Sequence, residues 1–274
     1  MIVQDAAPGR PRFVMRMSEH TAVAGQLAEA FGNEEFDPLH PRGILEDVIR
    51  NHDVGWAEID ARVLQDPDTG LPYHLADTPL DEMVHTISMS PDANEAVHPY
   101  AGVISSMHSY GLYTGRYGLS DRLAIDVLPD ELRPLVTDLL ARELARQERL
   151  IRELATDDTT ADWVTEAALF RNYKLLQFFD GFALYLQCRP PGERGSTRFA
   201  HVPKRADDVT VSASETDPAT VAVTPWPFAG ESVTVATNGR MMTPARPGTD
   251  LAPLFARAPV THQQVTLVAE PEPA

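Results

Sequence analysis

Apolar positions recur at helical spacing through most of the first 190 residues and give way to strand-like alternation beyond them. Val23, Ala24, Leu27 and Phe31 form one stripe, predicting a helix that starts after Ser18, a suitable N-cap, with His20 at the stripe's N-terminal end. Leu45, Val48 and Ile49 form a second stripe, which His52 extends at i, i+3, i+4, i+7. Gly55 is placed to stop that helix. From Trp56 to Pro79, turn formers such as Asp66-Pro67-Asp68-Thr69-Gly70 predict a loop. A helix is expected from Thr78-Pro79, carrying His85 and broken by Pro91-Asp92-Ala93-Asn94. Another starts at His98-Pro99 and puts Ala101, Ile104 and Leu112 around His108. Residues 130 to 155 are the clearest amphipathic helix and read as scaffold, and residues 162 to 188 read as an apolar helix that contains Asp180.

Residues 12 to 17 alternate weakly and suit a short strand. Strand-like alternation returns at 209–214, 219–223, 232–236 and 264–268, and Asn238-Gly239 is a hairpin-turn signal. The expected fold class is mainly α, a helical bundle with a small C-terminal antiparallel β-sheet. Its parts would be an extended segment 1–17, a helical domain 18–190, a β-rich extension 191–269 and a disordered tail 270–274.

Composition narrows the chemistry. With 274 residues, 43% of them hydrophobic, the chain can bury a real core. No apolar run reaches the length of a membrane span and the N-terminus lacks a signal-peptide pattern, so a soluble, cytoplasmic protein is expected. A formal charge of −17 argues against nucleic acid and anionic membranes as partners. Cys188 is the single cysteine, which excludes an internal disulfide and a thiolate cluster, so any metal has to use His and carboxylates.

His52 and Asp53 form the focus. Burying an imidazole beside a carboxylate is costly unless each finds a partner, and a divalent cation satisfies both. A His–Asp pair that bonds only itself and nearby backbone is the competing reading. The other polar groups set on helices are His20, His85, His108 and Asp180, and Asp180 has no Lys or Arg at i±3 or i±4. His85, on a face only partly apolar, reads by itself as a surface or capping histidine. Together, four imidazoles and two carboxylates suit two hard or borderline divalent ions such as Fe, Mn, Mg, Zn or Ni. Such a centre, near +2, would draw an anionic or oxygen-rich small molecule. Trp56, Asp60, Tyr73 and His74 are candidates to line a pocket, with ordinary loop packing as the alternative for each.

The pattern H…HD…H…H…D, running from His20 through His52-Asp53, His85 and His108 to Asp180, resembles the HD-domain metalloenzyme superfamily over roughly residues 18 to 188. The resemblance implies a helical metal-binding domain in which His20, His52 and Asp180 hold one ion, His85 and His108 hold a second, and Asp53 bridges them and serves catalysis. The stretches HDVGW, DPDTGLP, HSYGLY and PWPF are also similar to a bacterial domain family of unknown function, which implies no activity. Superfamily members are mostly phosphohydrolases, and a minority are di-iron oxygenases. The expected function is therefore hydrolysis of a small phosphoester or nucleotide, with Trp56, Tyr73 or Tyr110 contacting substrate. A di-iron oxygenase acting on a small hydroxylated or phosphonate substrate is one alternative, and a non-catalytic, metal-stabilised binding module is another. Trp56 stands where such members often carry Lys or another polar residue, which weakens a simple phosphate-binding reading.

Overall fold

The structure is a computed structural model that describes residues 1–270 except 8, 122 and 206. The expected tail at 270–274 lies, apart from Glu270, outside the described residues. The chain divides into two compact units, one of residues 1–38, 57–78 and 178–274, the other of residues 39–56 and 79–177.

The first unit is built on a seven-stranded mixed sheet, which overturns the mainly-α, all-α expectation of a bundle with a small appended sheet. Its strands are β1 (Ile2–Val3), β2 (Arg12–Met15), β3 (Ser196–Lys204), β4 (Asp207–Asp217), β5 (Thr220–Thr224), β6 (Ser232–Met242) and β7 (Val260–Ala269). They lie in the order β1-β2-β6-β7-β5-β4-β3, antiparallel except for the parallel pair β5–β7. The sheet exceeds the sequence expectation for two physical reasons. β3 carries Arg198, Pro203 and Lys204, which mask its alternation, and β6 continues straight through Asn238-Gly239. That dipeptide is not a turn: a Cβ on Gly239 would stand 2.4 Å from the Phe13 ring, so the glycine makes room for an aromatic side chain of β2.

Three helices belong to this unit, α1 (Met17–Ala30), α3 (Ala57–Arg62) and α9 (Ala252–Arg257), together with the C-terminal half of α8 (Glu166–Cys188). α3 replaces part of the expected loop. Its Asp60 is buried and its Oδ2 accepts from the Met17 N–H at 2.6 Å, tying α3 to the start of α1. The cap position of α1 is Arg16, not Ser18, with no side-chain cap bond. The stripe Val23, Ala24, Leu27 and Phe31 is buried as expected. Beyond the β2 pairing, α1 substitutes for the missing neighbour of β6: Glu19 Oε2 accepts from the Asn238 N–H, and the Gln26 amide bonds both the N–H and the C=O of Ala236. Those bonds fix α1, and with it His20, against β6. Phe31, Phe178, Phe179, Phe182, Phe199 and Phe228 form an aromatic core within the unit.

The second unit is helical: α2 (Arg42–Asn51), α4 (Leu80–Met83), α5 (Thr86–Val97), α6 (Pro99–Tyr113), α7 (Arg133–Leu154) and the first half of α8. α6 begins at Pro99 as expected, with His98 Nδ1 accepting from the Tyr100 N–H. Pro91 lies inside α5 instead of breaking it. Gly55 sits in a 3-10 turn, Val54–Trp56, where a Cβ would stand 2.9 Å from Ser90 Oγ. Its role is close approach to α5, reinforced by its N–H bond to the same oxygen. α7 does more than scaffold an apolar face. Its Glu143 is fully buried, accepts from the Ser88 hydroxyl and pairs with Arg146, which also reaches Asp92 and Glu95 on α5.

Candidate metal centre

In the sheet unit, His20 is fully buried on α1 and Asp180 is 8% exposed on α8. His20 Nε2 lies 3.1 Å from Asp180 Oδ1. The other ring nitrogen, Nδ1, lies 3.0 Å from Gln187 Oε1. The orientation of that amide is fixed, because its Nε2 donates to the Glu19 carbonyl and to Thr237 Oγ1 on β6. A carbonyl oxygen facing Nδ1 can only accept, so Nδ1 carries a proton, and whenever the ring is neutral Nε2 presents a lone pair to the carboxylate. Two acceptors at 3.1 Å repel unless a proton or a cation is shared between them. Neighbouring ligand atoms around an ion with bonds of about 2.1 Å stand about 3 Å apart, so the pair fits a common metal.

In the helical unit, α2 ends at His52, 1% exposed, and Asn94 anchors that end by donating to the Asn51 carbonyl. His52 Nδ1 donates to the Ile49 carbonyl at 2.7 Å, which again leaves Nε2 as the lone-pair nitrogen. Asp53, half-buried, places Oδ2 3.6 Å from that Nε2. His108, 2% exposed on α6, holds its ring edge-on to that of His52 with centroids 5.0 Å apart, and Gln177 on α8 meets its Nδ1 at 2.7 Å. Each of the three buried histidines thus has Nδ1 committed to a neighbour in its own unit, the arrangement in which metal-ligating imidazoles are oriented.

His85 is exposed at the start of α5, with no side-chain cap bond. Trp56 is 5% exposed and belongs to the packing of the helical unit. Tyr73 and His74 belong to the sheet unit, where His74 Nδ1 accepts from the Val3 N–H. Tyr110 leans on Tyr117, with ring centroids 5.6 Å apart. The Cys188 thiol is pushed up to about 11, first by burial and then by Asp5 and Asp180, so it stays protonated and offers no thiolate.

Sequence reasoning missed the orienting amides. Gln177, Asp180 and Gln187 fall at spacings of three and seven along the second half of α8, one polar stripe on a segment that is otherwise apolar, and that stripe was the available signal.

The family described as DUF3891, protein of unknown function, matches residues 1–244, and the chain belongs to that family. No curated protein and no solved structure matches the chain. No helix among the described residues is long and apolar enough to cross a membrane.

Proposed function

We propose that this chain is a metal-dependent hydrolase of a small phosphoester or nucleotide, using the six residues that the sequence pattern collects: His20, His52, Asp53, His85, His108 and Asp180. The observation that carries the reading is the pinned tautomer of His20, whose lone-pair nitrogen faces Asp180 Oδ1 at 3.1 Å. The donor set of neutral imidazoles and carboxylates suits a hard or borderline divalent ion. A bound ion of that kind supplies Lewis acidity and positive charge for an attack on phosphorus.

The chain's own residues supply orientation and proton handling. Gln187 and the Ile49 carbonyl hold His20 and His52 in one tautomer each, so no ring flip precedes binding. Asp53, the least buried carboxylate of the set, is the group placed to take a proton. The place of His85 rests on the sequence pattern. Burial of Trp56, where a polar substrate contact would otherwise stand, favours the di-iron oxygenase as the second reading.

The test is a panel of phosphomonoesters, phosphodiesters and nucleotides assayed with protein purified without chelator, alongside oxygen-uptake measurements. Phosphate release abolished in Asp53→Asn and restored by no added metal supports the hydrolase. Metal-dependent oxygen uptake without phosphate release replaces it with the oxygenase, and inactivity on both counts with full metal occupancy overturns both.

A further inference from the structure

The sheet unit holds a cavity of about 450 Å³ that the reading above does not use, walled by Arg16, Glu19, Asn238, Arg240, Phe255 and His262. Two guanidinium groups border it. The Arg16 and Arg240 guanidinium carbons each lie 5.4 Å from the centroid of the Phe255 ring. Arg240 is held by donating to the Ala258 carbonyl, whereas Arg16 is exposed. The cavity's one acid, Glu19, accepts the Asn238 N–H through Oε2. His262 lies beside Asn238, its Nδ1 2.5 Å from Asn238 Oδ1.

A chain with 40 acidic and 23 basic residues has carboxylates to spare, yet among the described residues these two arginines share a phenyl ring instead of each taking an acid. Two guanidinium charges lining one cavity favour an anion, and one with charge near −2 balances both. A phosphate monoester carries about −1.5 to −2 at neutral pH, whereas a simple carboxylate carries only one charge. The volume is that of a small-molecule site, and the exposed Ala256 and Val260 offer an apolar wall for the rest of the ligand.

We propose that this cavity binds a small phosphate monoester, with Arg16 and Arg240 clamping the phosphoryl group and the wall of Ala256 and Val260 receiving the organic part. The site stands independently of the metal centre.

Calorimetric titration of phenyl phosphate and of benzoate into the purified full chain tests it, with Arg16→Gln, Arg240→Gln and His52→Ala compared. Saturable binding of phenyl phosphate is expected, weakened about tenfold or more in either arginine variant, unchanged in His52→Ala, and stronger than that of benzoate by about tenfold. Arg16→Gln alters an exposed side chain and keeps the test valid if Arg240→Gln folds poorly. Binding retained in Arg16→Gln, binding lost in His52→Ala alone, equal affinity for benzoate, or no binding at millimolar ligand overturns the proposal.

Discussion

Replacing Gln187 separates orientation of His20 from mere packing. Gln187→Met keeps the side-chain volume but removes three polar contacts: the acceptor for His20 Nδ1 and the donors to the Glu19 carbonyl and Thr237 Oγ1. At about 1 kcal/mol for each neutral hydrogen bond, the variant should lose about 3 kcal/mol of stability, which is measurable by denaturant unfolding in the presence of a chelator. With its tautomer released, His20 should also bind metal about 10–100-fold more weakly, the usual consequence of removing a residue that orients a ligand. Gln187→Glu dissociates the two effects. It keeps an acceptor for Nδ1 and makes it anionic, so metal affinity should match or exceed the wild type, while a carboxylate facing the Glu19 carbonyl still lowers stability. Affinity is read by competition with a chromophoric chelator. Equal loss of affinity in both variants, or none in either, would refute the orientation argument and leave Gln187 a packing residue.

Other consequences follow from single contacts. Gly239→Ala places a methyl group 2.4 Å from the Phe13 ring and should cost about 1–3 kcal/mol, whereas a Phe13→Ala background should remove most of that clash cost in a double-mutant cycle. Glu143→Ala strips the buried Ser88 hydroxyl of its acceptor and Arg146 of one of its three acids, and should destabilise the helical unit by about 1–3 kcal/mol in chemical denaturation. His74 has its pKa lowered by burial, against an opposing pull from Asp77. The unfolded chain therefore takes up a proton that the folded chain resists, so this contribution is complete above about pH 6.5 and is lost as pH falls below it. Unfolding midpoints measured from pH 8 to pH 5 should show that slope in the wild type and less of it in His74→Asn, whose Oδ1 can still accept the Val3 N–H.

The stripes that bury hydrophobic side chains were legible in the sequence, and so were the residues that interrupt them. Leu45, Val48, Ile49 and His52 lie inside as the spacing requires, as do His20, His108 and Asp180. What periodicity could not show is partnership. The sequence makes α1 one of a set of helices, but Glu19 and Gln26 bind it to a strand more than 200 residues away, and no local pattern reports a contact of that separation. Turn and cap signals failed where tertiary packing took over the residue. Gly239 and Gly55 serve close approach, and Asp60, read as part of a loop, is an internal acceptor on a helix. The extent of the sheet was hidden in the same way, because the exposed faces of β3 and β7 carry Arg, His and Gln where a sequence reading looks for alternation.

Metal content tests the central claim most directly. Elemental analysis of the chain purified without added metal or chelator, beside Asp180→Ala and His52→Ala, should find one or two divalent ions per chain in the wild type and a clear loss in each variant, with folding confirmed by circular dichroism. A folded Asp180→Ala that keeps the wild-type complement, or a wild-type chain that neither contains nor takes up a divalent ion, would contradict the account.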